Sequence, residues 1–196
     1  MRPQLYGLVL VGGKSERMGH DKALLSFDGK HTQLERAVSL LSKVTDHAFV
    51  SLRKEQEFPL PDGANAVFDN FEEIKGPLCG ILSAMKAYPL ADWLVVACDL
   101  PNLDTSALRK LIGAYRSMDP QLTAYKNSHS GFPEPLCAIY PAGNDSELIQ
   151  LSRELDTLSP RKLFAHKSAR LVDQTNPNSL DNVNTAAEYE VALQNK

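Results

Sequence analysis

Leu5-Tyr6-Gly7-Leu8-Val9-Leu10-Val11-Gly12-Gly13-Lys14-Ser15-Glu16-Arg17-Met18-Gly19-His20-Asp21-Lys22 is the stretch that decides how this 196-residue chain is read. Its first half is a short apolar run with the β-branched and aromatic content of a buried strand. The second half begins with a glycine pair, which lets the backbone turn sharply and approach a ligand with no Cβ in the way. Successive free N–H groups in such a loop form an anion nest, and Arg17 and Lys22 add positive side chains. Glycines, an Arg and a Lys at the carboxyl end of a first strand suit a polyphosphate lying across the sheet edge. Two better-known phosphate motifs are excluded. There is no GxxxxGK followed by Ser or Thr, since Ala23 follows Lys22, and there is no GxGxxG. Gly12-Gly13 alone would more often be a plain turn; the whole stretch carries the signal.

Working outward, short apolar runs alternate with helical patterns, which predicts an α/β protein with a mostly parallel central sheet. Strands are expected at 48–52, 64–68, 122–125, 136–140 and 171–172, with the uninterrupted apolar run 93–97 at the sheet centre. Helices are expected at 32–43, 76–87, 104–115, 146–153, 160–165 and 185–193. Thr32 with Glu35 three residues on reads as a capping box, and Pro77 suits a first helical turn. Nothing between these elements is long enough to be a linker, so residues 1–196 are read as one domain.

Composition narrows the partners. The chain is 43% hydrophobic and 23% charged, which excludes disordered and fibrous classes. Its net charge is −3 and no run of Lys or Arg occurs, so nucleic acid is not an expected partner. Cys79, Cys98 and Cys137 are odd in number and far apart, which argues against a disulfide framework or a thiolate zinc site and for a reducing cytoplasm. No apolar run approaches the roughly 18 residues of a membrane span, and the amino-terminal run is too short for a signal peptide. The five histidines never pair at ligand spacing, so solvated or capping roles are expected of them.

Two acidic residues stand at strand ends. Asp99, in Cys98-Asp99-Leu100-Pro101, follows the central strand, where a carboxylate is held at the mouth of the ligand crevice. Mg²⁺ takes one or two carboxylates plus phosphate oxygens and water, so one such Asp suffices. A turn or cap role is the competing reading, but Asp104-Thr105 supplies a better cap downstream. Asp69 is either an Asx-turn residue beside Asn70 or a site residue. In Gly76-Pro77-Leu78-Cys79-Gly80 the glycines serve either phosphate binding at a helix start or close packing.

Residues 10–22 resemble the signature of the molybdenum cofactor guanylyltransferase family, Leu-Ala-Gly-Gly-x-Ser-x-Arg-Met-Gly-x-Asp-Lys. Every fixed position matches except Val11, where the family has Ala. The resemblance implies a Rossmann-like three-layer nucleotidyltransferase fold with helices on both faces of the sheet. It implies transfer of GMP from GTP to the phosphate of molybdopterin, carrying molybdenum, with release of pyrophosphate. Leu10, Val11, Gly12 and Gly13 would lie along the nucleotide, and Lys22 and Arg17 would stabilise phosphate charge. Asp69 would contact the nucleotide, and Asp99 would bind both nucleotide and Mg²⁺.

The segment 132–136, Phe-Pro-Glu-Pro-Leu, is either a stiff start to a strand or part of the acceptor pocket. Asn182-Val183-Asn184-Thr185 resembles the Asn-Val-Asn-Thr-Pro segment near the family's end, with Ala186 in place of Pro; two Asn before a helix are more often caps than residues that assist the metal. Ser51-Leu52-Arg53 departs from the family's Asn-x-Asn pair in the base region, so base reading is not carried over to it. A cytoplasmic monomer is expected, with transient contact to proteins that handle the molybdenum cofactor. Three alternatives stay open: a CTP-dependent cytidylyltransferase on the same pterin, a sugar-phosphate nucleotidyltransferase, and a non-catalytic nucleotide-binding regulator.

Overall fold

The computed structural model describes residues 2–11, 26, 30–56 and 59–183. The strands are β1 (Leu5–Leu10), β2 (His47–Leu52), β3 (Ala64–Phe68), β4 (Asp92–Ala97), β5 (Thr123–Lys126), β6 (Pro133–Tyr140) and β7 (Arg170–Asp173). The helices are α1 (Gln33–Ser42), α2 (Pro77–Ala87), α3 (Thr105–Arg116), α4 (Asp145–Glu154) and α5 (Pro160–His166). Among the described residues the strands form one seven-stranded sheet in the order β3-β2-β1-β4-β6-β5-β7. β1 pairs in parallel with β2 and β4, β2 with β3, and β5 with β7. Only β6 runs the other way, antiparallel to both β4 and β5. Six strands therefore end, and β6 begins, on a single rim.

Alternation along the strands sorts side chains into two cores, one on each face. Val9, Val50, Leu94, Val96 and Ile139 pack with Leu34, Val38 and Leu41 of α1 and with Leu108 and Leu111 of α3. Leu8, Phe49, Trp93, Val95 and Ala138 pack on the other side with Ile81 and Leu82 of α2, Leu148 of α4, and Leu163 and Phe164 of α5. This is the expected three-layer arrangement. β4 is buried along its whole length, as its unbroken apolar run requires at a sheet centre.

The local signals are present. Thr32 and Glu35 close a capping box, with Glu35 N donating to Thr32 Oγ1 at 3.2 Å and Thr32 N to Glu35 Oε2 at 2.7 Å. Asp104 Oδ1 accepts from Ala107 N at 2.7 Å, so the cap of α3 is Asp104 and Asp99 is left to other work.

The largest departure from an expected strand boundary is in β6. β6 starts at Pro133, three residues before the predicted Leu136. Its register with β5 jumps, since Tyr125 faces Glu134 while Ala124 faces Ala138, and its ladder with β4 ends at Cys137. Pro135 thus sits in a bulge where neither neighbour needs the N–H it lacks. The expected helix at 185–193 lies outside the described residues.

Candidate functional site

The chain steps outward from β1 to β3 and then returns to the other flank of β1 as β4. In open α/β sheets the ligand crevice lies outside the carboxyl ends of the strands, where the strand order reverses, here between β1 and β4. Leu10 of β1 pairs with Ala97 of β4, so Val11 and Cys98 leave the sheet side by side and Asp99 follows one residue beyond. The Cys98 N–H extends that ladder, donating to the Leu10 carbonyl at 3.3 Å.

On the β3 side of this point lies a cleft of about 570 Å³, formed by Leu10 and Val11, by Ser51 at the end of β2 and Arg53 just after it, by Asp69 after β3, and by the first turn of α2. Its shape comes from close backbone packing. A Cβ on Gly80 would fall 2.2 Å from Ser51 Oγ and 3.1 Å from Leu10 Cδ2, so α2 lies directly on β2 and β1. Gly76, at the N-cap of α2, has φ +71°, which a side chain there would strain. The turn after β3 is fastened to α2 by Asn70 N donating to Ser83 Oγ at 2.8 Å.

Asp69 N donates to the Leu52 carbonyl at 2.9 Å, which prolongs the β2–β3 ladder and fixes the carboxyl at the cleft. Burial pushes the Asp69 carboxyl above its ordinary value, while a hydrogen bond with Cys79 and the charge of Arg53 pull it back. Burial also raises the Cys79 thiol, as does the Asp69 charge. This thiol is a packing group at the cleft floor, far from the activated state of a nucleophile.

On the other side of Asp99 the rim is built differently. The β5–β6 hairpin turn meets the segment after β7, with Ser128 N donating to Gln174 Oε1 at 2.7 Å and His129 Nε2 lying 3.1 Å from Asp181 Oδ1. That segment returns to the crevice, where Val183 N donates to the Asp99 carbonyl at 3.2 Å. Glu134, at the start of β6, is buried beside Arg161 of α5. Burial pushes the Glu134 carboxyl up; Arg161, Asn127 and the Leu136 N–H pull it down, and the negative charge of Asp99 pushes it up again. Glu134 and Asp99 therefore stand within electrostatic reach of each other.

Of the residues expected from sequence, Leu10, Val11 and Asp69 line the cleft, and Asp99 stands on the adjoining strand end without lining it. Gly12, Gly13, Arg17, Lys22 and Asn184 lie outside the described residues. Sequence reading did not anticipate the Cys79–Asp69 contact or the pairing of His129 with Asp181. Those histidine and aspartate positions are 52 residues apart, and no local pattern links them. Among the described residues no three His, Cys, Asp or Glu side chains gather into a metal cage. A hard carboxylate oxygen at the crevice nonetheless suits Mg²⁺, which draws most of its ligands from phosphate and water.

A mixed α/β sheet with a crevice at its strand reversal and carboxylates on both flanks of β1 is the layout in which open α/β sheets receive nucleotides. The chain belongs to the MobA-like NTP transferase domain family, which matches residues 7–171, and is a nucleotidyltransferase. It is 36% identical over 188 residues to the molybdenum cofactor biosynthesis bifunctional protein of Synechocystis, covering 94% of this chain. The chain spans 52% of that relative's length. With the molybdenum cofactor guanylyltransferase of Sinorhizobium fredii it shares 30% identity over 197 residues, covering 94% of this chain and 88% of the relative. The crystal structure of molybdopterin-guanine dinucleotide biosynthesis protein A from Archaeoglobus fulgidus has the same fold. It superposes with a TM-score of 0.73 over 96% of this chain and 97% of that one, at 20% identity. No helix among the described residues is long and apolar enough to cross a membrane.

Proposed function

We propose that this chain transfers GMP from GTP to the phosphate of molybdopterin, carrying molybdenum, and releases pyrophosphate. The observation that carries this reading is the two-sided rim, with Asp99 between a packed cleft on one flank and a polar hairpin wall on the other. Two substrates must meet at one phosphorus atom, and such a rim offers each its own side. The triphosphate would occupy the cleft, its base end toward Asp69 and its phosphates toward Asp99, three inter-strand spacings or about 14 Å across. An acceptor phosphate oxygen then attacks the α-phosphorus and forms a new P–O bond. The α–β anhydride bond breaks, and its electron pair leaves with pyrophosphate.

The chain's own part is to bind, align and neutralise charge. Lys22 and Arg17 would hold the phosphates, and the backbone of residues 10–13 would lie along the nucleotide. Asp99 would hold Mg²⁺, which when bound supplies positive charge for the phosphate oxygens. Because the acceptor arrives as a phosphate, no side chain needs to serve as nucleophile, and none at the described crevice is set up as one. The sheet runs from Leu5 to Asp173, which supports reading residues 1–196 as one domain. We also read the chain as a cytoplasmic monomer, with transient contacts to proteins that handle the molybdenum cofactor.

The test is pyrophosphate release with each of the four nucleoside triphosphates, with and without molybdopterin. Release that needs both GTP and molybdopterin is expected. Release with CTP instead would make the enzyme a cytidylyltransferase, and release without the pterin would point to another acceptor.

A further inference from the structure

The 127–131 turn between β5 and β6 and the segment after β7 come from distant parts of the chain, yet one side chain grips both. Gln174 Oε1 accepts from Ser128 N at 2.7 Å and from Ser128 Oγ at 2.9 Å. Its Nε2 donates to the Asn176 carbonyl at 3.4 Å, the Pro177 carbonyl at 3.2 Å and Ser179 Oγ at 3.0 Å. The amide can face only one way. A backbone N–H only donates and a backbone carbonyl only accepts, so a reversed carboxamide would set N–H against N–H and oxygen against oxygen. The bend at 176–179 is thus wrapped around Nε2. It is closed by Ser179 N donating to the Asn176 carbonyl at 3.1 Å, and Leu180 beside it is buried in the core. From there the segment reaches the loop after β4. Asn102 Nδ2 donates to the Asn178 carbonyl at 3.2 Å, and Val183 N to the Asp99 carbonyl at 3.2 Å. One carboxamide therefore ties the turn to the segment that seats on the Asp99 main chain.

We propose that Gln174 is a positioning residue for the acceptor: it locks the 127–131 turn at a fixed place relative to Asp99, in the form that receives the phosphorylated pterin. This rests on the reading of the hairpin as the acceptor side. Both ends of the half-buried carboxamide are spent on the protein, which leaves the acceptor to the exposed Ser128, His129 and Ser130 of the turn. Displacing the turn moves the acceptor oxygen relative to the α-phosphorus, and alignment of the reacting groups is the chain's main contribution to the rate. Lys110 of α3 fastens the same segment on either side of Gln174, donating to the Asp173 carbonyl at 2.7 Å and to Thr175 Oγ1 at 2.9 Å. It makes no hydrogen bond to the turn, so it supplies the comparison for a purely structural tie.

The variants to compare are Gln174→Met, Gln174→Glu, Lys110→Met and a replacement of residues 127–131 by a Gly/Ser turn. Gln174→Met keeps the length and loses both ends; Gln174→Glu keeps the shape but sets an oxygen against two carbonyls. Readouts are the KM for molybdopterin, GTP affinity by calorimetry, melting, and amide hydrogen exchange at Ser128. Both Gln174 variants should raise the acceptor KM about ten-fold, the loss expected for two ordinary hydrogen bonds, with GTP affinity unchanged. Exchange at Ser128 should quicken in Gln174→Met. Lys110→Met should lower melting and leave the acceptor KM as in the parent. Unchanged acceptor KM in Gln174→Met, with a raised KM in the turn replacement, would overturn the role of Gln174 and leave the acceptor side in place. Unchanged KM in the turn replacement as well would overturn both. A parent that releases no pyrophosphate with molybdopterin would overturn the acceptor reading and this proposal with it. Equal losses toward GTP and pterin in Gln174→Met, matched by Lys110→Met, would make Gln174 a structural tie only.

Discussion

The two flanks of Asp99 are built by different physics. The β1–β2–β3 flank is a parallel ladder overlaid by α2, and its cleft takes its form from backbone hydrogen bonds and a helix lying directly on the strands. The β6–β5–β7 flank depends on one antiparallel strand, a bulge and a set of side-chain hydrogen bonds that join exposed Ser128 and His129 to half-buried Gln174 and Asp181, and Gln174 in turn to buried Ser179. A cleft made of backbone and buried contacts resists deformation, because interiors are close-packed. A wall made of solvated side-chain contacts has lower local stability and adjusts more readily. A rigid donor side and an adaptable acceptor side are a workable division for an enzyme that must align a triphosphate before a bulky acceptor arrives.

The most severe way to break this division is to remove the residue between the flanks. Asp99→Ala should abolish Mg²⁺-dependent turnover while the protein remains folded, because Asp104 caps α3 and the Asp99 carbonyl, not its carboxylate, receives Val183. Near-parental turnover in the folded variant would take Asp99 out of the reaction. Next in size is Lys22→Ala, expected to weaken GTP binding ten- to a hundred-fold, or about 1.5–3 kcal/mol, with melting unchanged. Unaltered affinity by calorimetry would show that the glycine-rich stretch does not hold phosphate.

Gly80→Ala sharpens the contrast by attacking the packed flank alone. The added methyl group meets Ser51 and Leu10, so α2 must lift, at a cost of about 1–3 kcal/mol of stability together with weaker GTP binding. Ser51→Gly in the same chain should restore part of both. A silent Gly80→Ala would mean that α2 is as adjustable as the hairpin wall.

The smallest effect concerns Asp69, whose carboxyl titrates above its ordinary value of 3.8 in the folded protein. The folded state then binds that proton more tightly than the unfolded chain does. The stability this adds is present at low pH and is lost as pH rises through the folded-state titration. Asp69→Asn should therefore melt like the parent well below pH 3.8 and gain a small advantage that grows toward neutrality and levels off. An Asn variant that loses ground as pH rises would show that Asp69 is held as a charged ion-pair partner, with the Arg53 attraction outweighing burial.

Legibility followed the same division. The capping box at Thr32, the cap at Asp104, the buried run of β4 and the end of β3 at Phe68, just before Asp69, were readable because each depends on residues adjacent in sequence. Pro133 and Pro135 read as a stop before a strand. Only the register jump against β5, and the end of the β4 ladder at Cys137, show why two prolines are tolerated inside β6. The same reversal brings Glu134 to the rim beside Asp99, although 35 positions separate their numbers. His129 stays largely exposed, as its sequence context suggests, yet pairs with an aspartate that no spacing rule would select.

By itself, then, the sequence determined the class of sheet, the glycine-rich stretch, the nucleotidyltransferase family and the strand-end carboxylates. These rest on periodicity, turn chemistry and a short contiguous motif, all encoded by near neighbours. The tertiary structure alone decided that Asp99 stands between two unlike flanks, that Gly80 sets the depth of the cleft, and that Glu134, Asn127 and Asp181 join one wall. Those contacts depend on strand order and on the direction of β6, and both emerge only when distant segments bury their apolar faces together.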